Sequence, residues 1–159
     1  MVRAATKKKE EERCVNEAIT FDTGALIALE RGDLRMGRVF VHARAQCIPM
    51  FTPADAVAEW WRGRSDVREK VLRALVVEPL STRVAKSAGE ALAAVKGATT
   101  IDAIVMATAA LRGGVVYTSD FRDLDRLRSH FRDVRVVSDD GVPTRAPPEQ
   151  GGEPSTKCA

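Results

Sequence analysis

Apolar and polar residues follow two rhythms along the chain. Short runs rich in β-branched and aromatic residues, at 18–21 (AITF), 48–51 (IPMF), 76–78 (VVE), 115–118 (VVYT) and 134–137 (VRVV), read as brief strands. Between them apolar residues recur at helical spacing over 23–31, 34–46, 65–75 and 120–130, and over 81–96 with Val84, Ala88, Leu92 and Val95 on one face. Thr52-Pro53 with Asp55 reads as an N-cap, a first-turn proline and a capping-box-like acid, opening a helix through Glu59, Trp60 and Trp61. Thr99 or Thr100 caps the run IDAIVMATAALR, and Gly113-Gly114 stops it. Strands alternating with helices predict an α/β fold of three layers, a central parallel sheet of about five strands flanked by helices. In such a sheet, ligands bind beyond the carboxyl ends of the strands, so chemistry is expected at that edge.

Composition narrows the classes. With 159 residues, 45% hydrophobic and 30% charged, the chain suits one globular domain. No stretch approaches the roughly 20 apolar residues of a membrane span, and no apolar segment follows the charged N-terminus as a secretory signal requires, so a cytoplasmic protein is expected. Residues 1–16 read as a charged, disordered leader, 17–137 as the folded domain, and 138–159, rich in proline and glycine, as a disordered tail. The charge run ahead of Val15 predicts that translation starts near that residue. A net charge of +3 does not by itself argue for nucleic acid. Within 17–137, however, 15 of the 18 basic residues are arginine, the better bidentate donor to phosphate. A GC-rich coding sequence produces the same bias. Cys14, Cys47 and Cys158 form no C-x-x-C pair, and His42 and His130 stand far apart, which disfavours disulfides and thiolate or histidine metal sites. Any metal chemistry falls to the acids.

Four acids stand in apolar company. Asp22 and Asp120 follow predicted strands, Asp102 lies in the first turn of a helix whose next nine residues carry no charge, and Glu59 precedes a tryptophan pair, with Asp55 on the same helix face. Each has a plain structural explanation: Asp22 and Asp120 as N-caps, Asp102 as a complement to the helix dipole, Glu59 as a surface residue. Four acids at one sheet edge are harder to obtain from capping alone, because an unpaired buried carboxylate costs several kcal/mol.

The segments FDTGALIALE, ADAVAEWW, TTIDAIVMATA and VVYTSDFRDLDRL resemble, in order and separation, the four acidic blocks of PIN-domain ribonucleases, above all the VapC-type toxins of toxin–antitoxin pairs. The resemblance covers residues 17–137. It implies a PIN-like fold and a metal-dependent endoribonuclease in which Asp22, Glu59, Asp102 and Asp120 are the catalytic acids holding Mg²⁺ (or Mn²⁺), with Thr118 and Asp123 in support. It also implies an RNA substrate, a cognate small antitoxin protein and a homodimer. Carboxylates suit such hard cations, and a metal-bound water suits hydrolysis of a phosphodiester. The first block departs from the pattern, because Gly24 stands where many relatives carry Ser or Thr. Arg62, Arg64, Arg112, Arg122 and Arg126, close to the acidic blocks, are candidates for RNA phosphates. Of Trp60 and Trp61, one is expected in the core and the other at a dimer or antitoxin contact. Two alternatives stand: a non-catalytic PIN-like scaffold that binds RNA or a partner, and a Mg-dependent phosphotransfer enzyme, against which Gly24 and the missing late lysine argue.

Overall fold

The computed structural model describes residues 18–138. The expected leader, translation start and tail lie outside the described residues, apart from Ser138. Five strands, β1 (Ile19–Phe21), β2 (Met50–Pro53), β3 (Val76–Glu78), β4 (Val115–Thr118) and β5 (Arg135–Ser138), form an all-parallel sheet in the order β3-β2-β1-β4-β5. Among the described residues seven helices connect and flank them: α1 (Thr23–Glu30), α2 (Leu34–Ala45), α3 (Ala54–Trp60), α4 (Asp66–Arg73), α5 (Thr82–Ala94), α6 (Thr100–Arg112) and α7 (Phe121–Leu127). The expected α/β class holds, with the sheet as the middle layer.

Alternation along the strands divides the core in two. Ile19, Phe21 and Met50 pack with Leu26, Met36, Ala56, Trp60 and Val71 from α1 to α4. Val116 and Val136 pack with Val84, Ala88, Leu124 and Leu127 from α5 and α7. Helix α6 belongs to that second cluster, and its uncharged run makes sense there, since Ala103 to Ala109 are all buried. Central β1 is buried at every position, as a parallel strand with neighbours on both edges and helices on both faces must be.

The capping logic holds at several helices. Ser65 and Ser81 accept the N–H groups of Arg68 and Val84, each at 3.2 Å, and Thr99 caps α6. Gly113 ends α6 with φ +130°, a conformation that a side chain resists. Three boundaries differ from the sequence reading. β2 lies two residues later than expected. Thr52 is not a cap but a fully buried strand residue whose hydroxyl donates to the Phe21 carbonyl at 3.1 Å. A β-branched side chain suits the strand, and its hydroxyl finds a cross-strand acceptor, so Pro53, with no side-chain capping bond, occupies the position before α3. Helix α7 stops at Leu127, three residues before His130, because a tight turn from Leu127 carries the chain to Phe131 and into β5.

Candidate active site

Strand order decides where the crevice forms. From β1 the chain builds outward through β2 and β3 on one side and then returns to place β4 and β5 on the other, so the connections leaving β1 and β4 diverge beyond their carboxyl ends. Asp22 follows β1 directly, and Asp120 stands two residues beyond β4. The register Phe21↔Tyr117 brings these two strand ends side by side, and the Asp22 N–H reaches the Tyr117 carbonyl at 3.4 Å.

Asp22 does cap α1, with Oδ1 accepting the Ala25 N–H at 2.6 Å. Its environment is nevertheless unlike that of an ordinary cap. The residue is 6% exposed, and burial pushes its carboxyl up to about 6. Hydrogen bonds from the Thr118 hydroxyl and the Ala25 N–H pull the value down, while the negative charges of Asp102 and Asp120 push it up. Thr118 is itself fully buried, and its Oγ1 also accepts the Asp120 N–H at 2.8 Å. One interior hydroxyl thus ties the two strand-end acids together.

The other two acids arrive on helices. In the first turn of α6, Asp102 is half-buried, and Thr99 makes two bonds to it, accepting its N–H at 3.2 Å and donating to Oδ2 at 2.6 Å. Burial raises the Asp102 carboxyl, Thr99 lowers it, and Asp123 and Glu59 raise it further. Glu59, exposed in the last turn of α3, accepts the Thr23 hydroxyl at 2.6 Å. Asp102 is therefore the electrostatic hub, within reach of Asp22, Glu59 and Asp123. The four predicted acids and Asp123 share one field, but they do not close on one point. Among the described residues no three acidic, histidine or cysteine side chains form a ready metal cage. Like charges repel, and Thr23 and Thr99 offer Glu59 and Asp102 nearby donors, so these carboxylates turn to their own hydroxyls.

A second acid is placed quite differently. Half-buried Glu30 receives a cation and an N–H: Arg68 pairs with Oε1 at 2.7 Å, and the Trp60 indole donates to Oε2 at 2.8 Å. Glu30 locks α1, α3 and α4 together. Asp22, more deeply buried, has two further acids, Asp102 and Asp120, and no arginine or lysine among the groups that shift it. Asp55 stays outside this network, with Oδ2 buried and unpartnered.

The arginine candidates scatter. Arg112 pairs with Glu78 at 2.5 Å and lies 5.3 Å above the Phe51 ring, which binds α6 to β3 and β2. The Arg62 guanidinium donates to the Ala58 and Trp61 carbonyls, and Arg64 approaches Glu69 at 3.7 Å. Arg122 and Arg126, exposed on α7, carry no ion pair among the described residues. Trp60 is core, and half-buried Trp61 packs edge-on against it, 6.1 Å between centroids. Sequence reasoning missed the hydroxyl partners. Thr99 was legible as a cap but not as a donor to Asp102, and nothing local links Thr23 to a residue 36 positions away.

No protein-family model matches the chain, and no curated protein matches it. Among solved structures it is similar to PAE2754 from Pyrobaculum aerophilum, with 21% identity and a TM-score of 0.50 over 77% of this chain and 91% of that one. At that identity the likeness speaks for the fold alone. Among the described residues no helix is long and apolar enough to cross a membrane.

Proposed function

We propose that the protein is a Mg²⁺- or Mn²⁺-dependent endoribonuclease of the PIN-domain kind, the toxin of a type II toxin–antitoxin pair, acting in the cytoplasm as a homodimer restrained by a small antitoxin protein. One observation carries the reading: a buried carboxylate, Asp22, stands at the switch point of a parallel sheet among further acids, with no cation among the described residues that shift it. Such an arrangement is costly unless a divalent ion shares the charge, and function is the usual reason to keep it.

When bound, the ion would polarise a phosphodiester and supply an activated water. The protein's own part is positioning. Thr118 fixes Asp22 and Asp120, which change little because both sit at strand ends. Glu59 and Asp102 rotate from Thr23 and Thr99 toward the crevice once the repulsion among the acids is relieved. The rim needs positive charge to hold a polyanion against the acids, and Arg122 and Arg126, without an ion pair among the described residues, suit that task best among the five candidates. Arg112 serves β3 and β2 instead.

A labelled single-stranded RNA incubated with the protein tests this. Cleavage should need Mn²⁺ or Mg²⁺, stop with EDTA and be lost in Asp22→Asn and Asp102→Asn while circular dichroism stays unchanged. Undiminished cleavage in both variants would reject the assigned site. Expression without a partner should arrest growth, and a small neighbouring reading frame should relieve the arrest. Glu59 and Asp102, bonded to threonines rather than converging, favour a second reading, a scaffold that binds RNA without cutting it. Binding without cleavage at any divalent ion concentration would support that alternative.

A further inference from the structure

Gly24 is the second residue of α1 and has no positive φ, so its backbone does not require glycine. In a helix, glycine costs about 1 kcal/mol against alanine. A Cβ at position 24 would collide with the hydroxyl of Ser119, and the same spot lies 3.5 Å from Asp22 Oδ1. Ser119 sits between Thr118 and Asp120, just beyond β4, on an exposed stretch where a serine is free to face solvent. Its hydroxyl occupies the space that a side chain at position 24 would take, at the start of α1, and among the described residues it has no hydrogen-bond partner.

We propose that Ser119 binds substrate at this site, donating a hydrogen bond to a phosphate oxygen of the RNA strand from the space that Gly24 leaves open. The inference rests on the ribonuclease reading above. Its chemistry is complementary to the acids. Carboxylates only accept hydrogen bonds, so a phosphate brought among them needs a donor, and a neutral hydroxyl supplies one without displacing a cation from the carboxylates. Residues 24 and 119 then form one unit with room for one hydroxyl, delivered here from the β4 side.

The test compares the full chain with Ser119→Ala, Gly24→Ser and the exchange Gly24→Ser/Ser119→Gly. Each is measured for thermal midpoint, Mn²⁺ affinity by calorimetry, and kcat and KM on a labelled single-stranded oligoribonucleotide. Loss of a hydrogen bond to a charged group predicts that Ser119→Ala raises KM about tenfold, with kcat, Mn²⁺ affinity and thermal midpoint near those of the parent. Gly24→Ser should displace the Ser119 hydroxyl and raise KM, and the exchange, which returns one hydroxyl to that space, should recover most of the KM. A Ser119→Ala enzyme with KM within twofold of an active parent overturns the proposal while leaving the nuclease reading intact. An exchange variant whose KM stays as high as that of Ser119→Ala overturns the argument that the two positions share one hydroxyl. A parent that cleaves no RNA with Mn²⁺ overturns both readings.

Discussion

The acidic edge has two halves built on different principles. Asp22 and Asp120 stand beyond adjacent strands whose register is pinned by the parallel ladder, and Thr118 bridges them from the interior. Glu59 and Asp102 ride on helix ends and are held by single threonine hydroxyls, in Thr99's case from the turn that precedes the helix. The strand half is set by backbone, with little freedom left to its side chains. The helix half is set by side-chain rotamers that a ligand can redirect. An acidic cluster with four rigid members would repel itself at all times without a cation, whereas two fixed and two adjustable members let the site relax when empty.

That contrast orders the expected effects. Asp22→Asn should be the most severe for chemistry, lowering RNA cleavage about a thousandfold or more, as loss of several kcal/mol of transition-state stabilisation implies. The same change should make the cation-free protein more stable. In the parent, the folded chain keeps the Asp22 proton up to about pH 6, while the unfolded chain loses it near 3.8, so the folded state holds more protons in that window and stability falls as pH rises through it. The full difference at pH 8 is on the order of 3 kcal/mol. Asparagine keeps the cap and removes the charge, so urea unfolding from pH 4 to 8 with EDTA should show the decline in the parent and lose it in the variant.

Thr118→Val comes next, at about 1 to 3 kcal/mol, because it leaves the Asp120 N–H without its acceptor and Asp22 with only the Ala25 N–H as donor. A chemical-denaturation midpoint measures it, and an unchanged midpoint would break the claim that the strand half is held from inside. Thr99→Ala should cost about 1 kcal/mol as a lost cap and lower cleavage only severalfold, since Asp102 remains free to turn inward. Thr23→Val should be the mildest, at a few tenths of a kcal/mol, because the bond to Glu59 is exposed. Should Thr23→Val abolish cleavage as fully as Asp22→Asn, the adjustable half is not adjustable. Glu30→Gln is the control: it should lower stability through Arg68 and Trp60 and leave kcat unchanged.

Much of this was legible along the chain because it depends on near neighbours. Thr99 caps the residue three positions on, and Gly113 stops α6 where the glycine pair predicts. The uncharged run after Asp102 foretold a helix buried on nearly all sides. Thr52 misled because threonine before proline is both a good cap and a good strand residue, and only the Phe21 carbonyl across the sheet chose between them. Arg112 looked like an RNA contact because Glu78 and Phe51 are distant in sequence.

Local periodicity, capping and the placement of acids after short β runs determined the layers, the helix starts and the positions of Asp22, Asp102 and Asp120, since each follows from interactions within a few residues. The strand order belongs to the tertiary structure. So do the crevice between β1 and β4, the Thr23–Glu59 bond, the Ser119 hydroxyl over Gly24 and the raised Asp22 carboxyl. These arise from groups tens of residues apart meeting in a space from which water is excluded, and burial and charge add up only once the chain has folded.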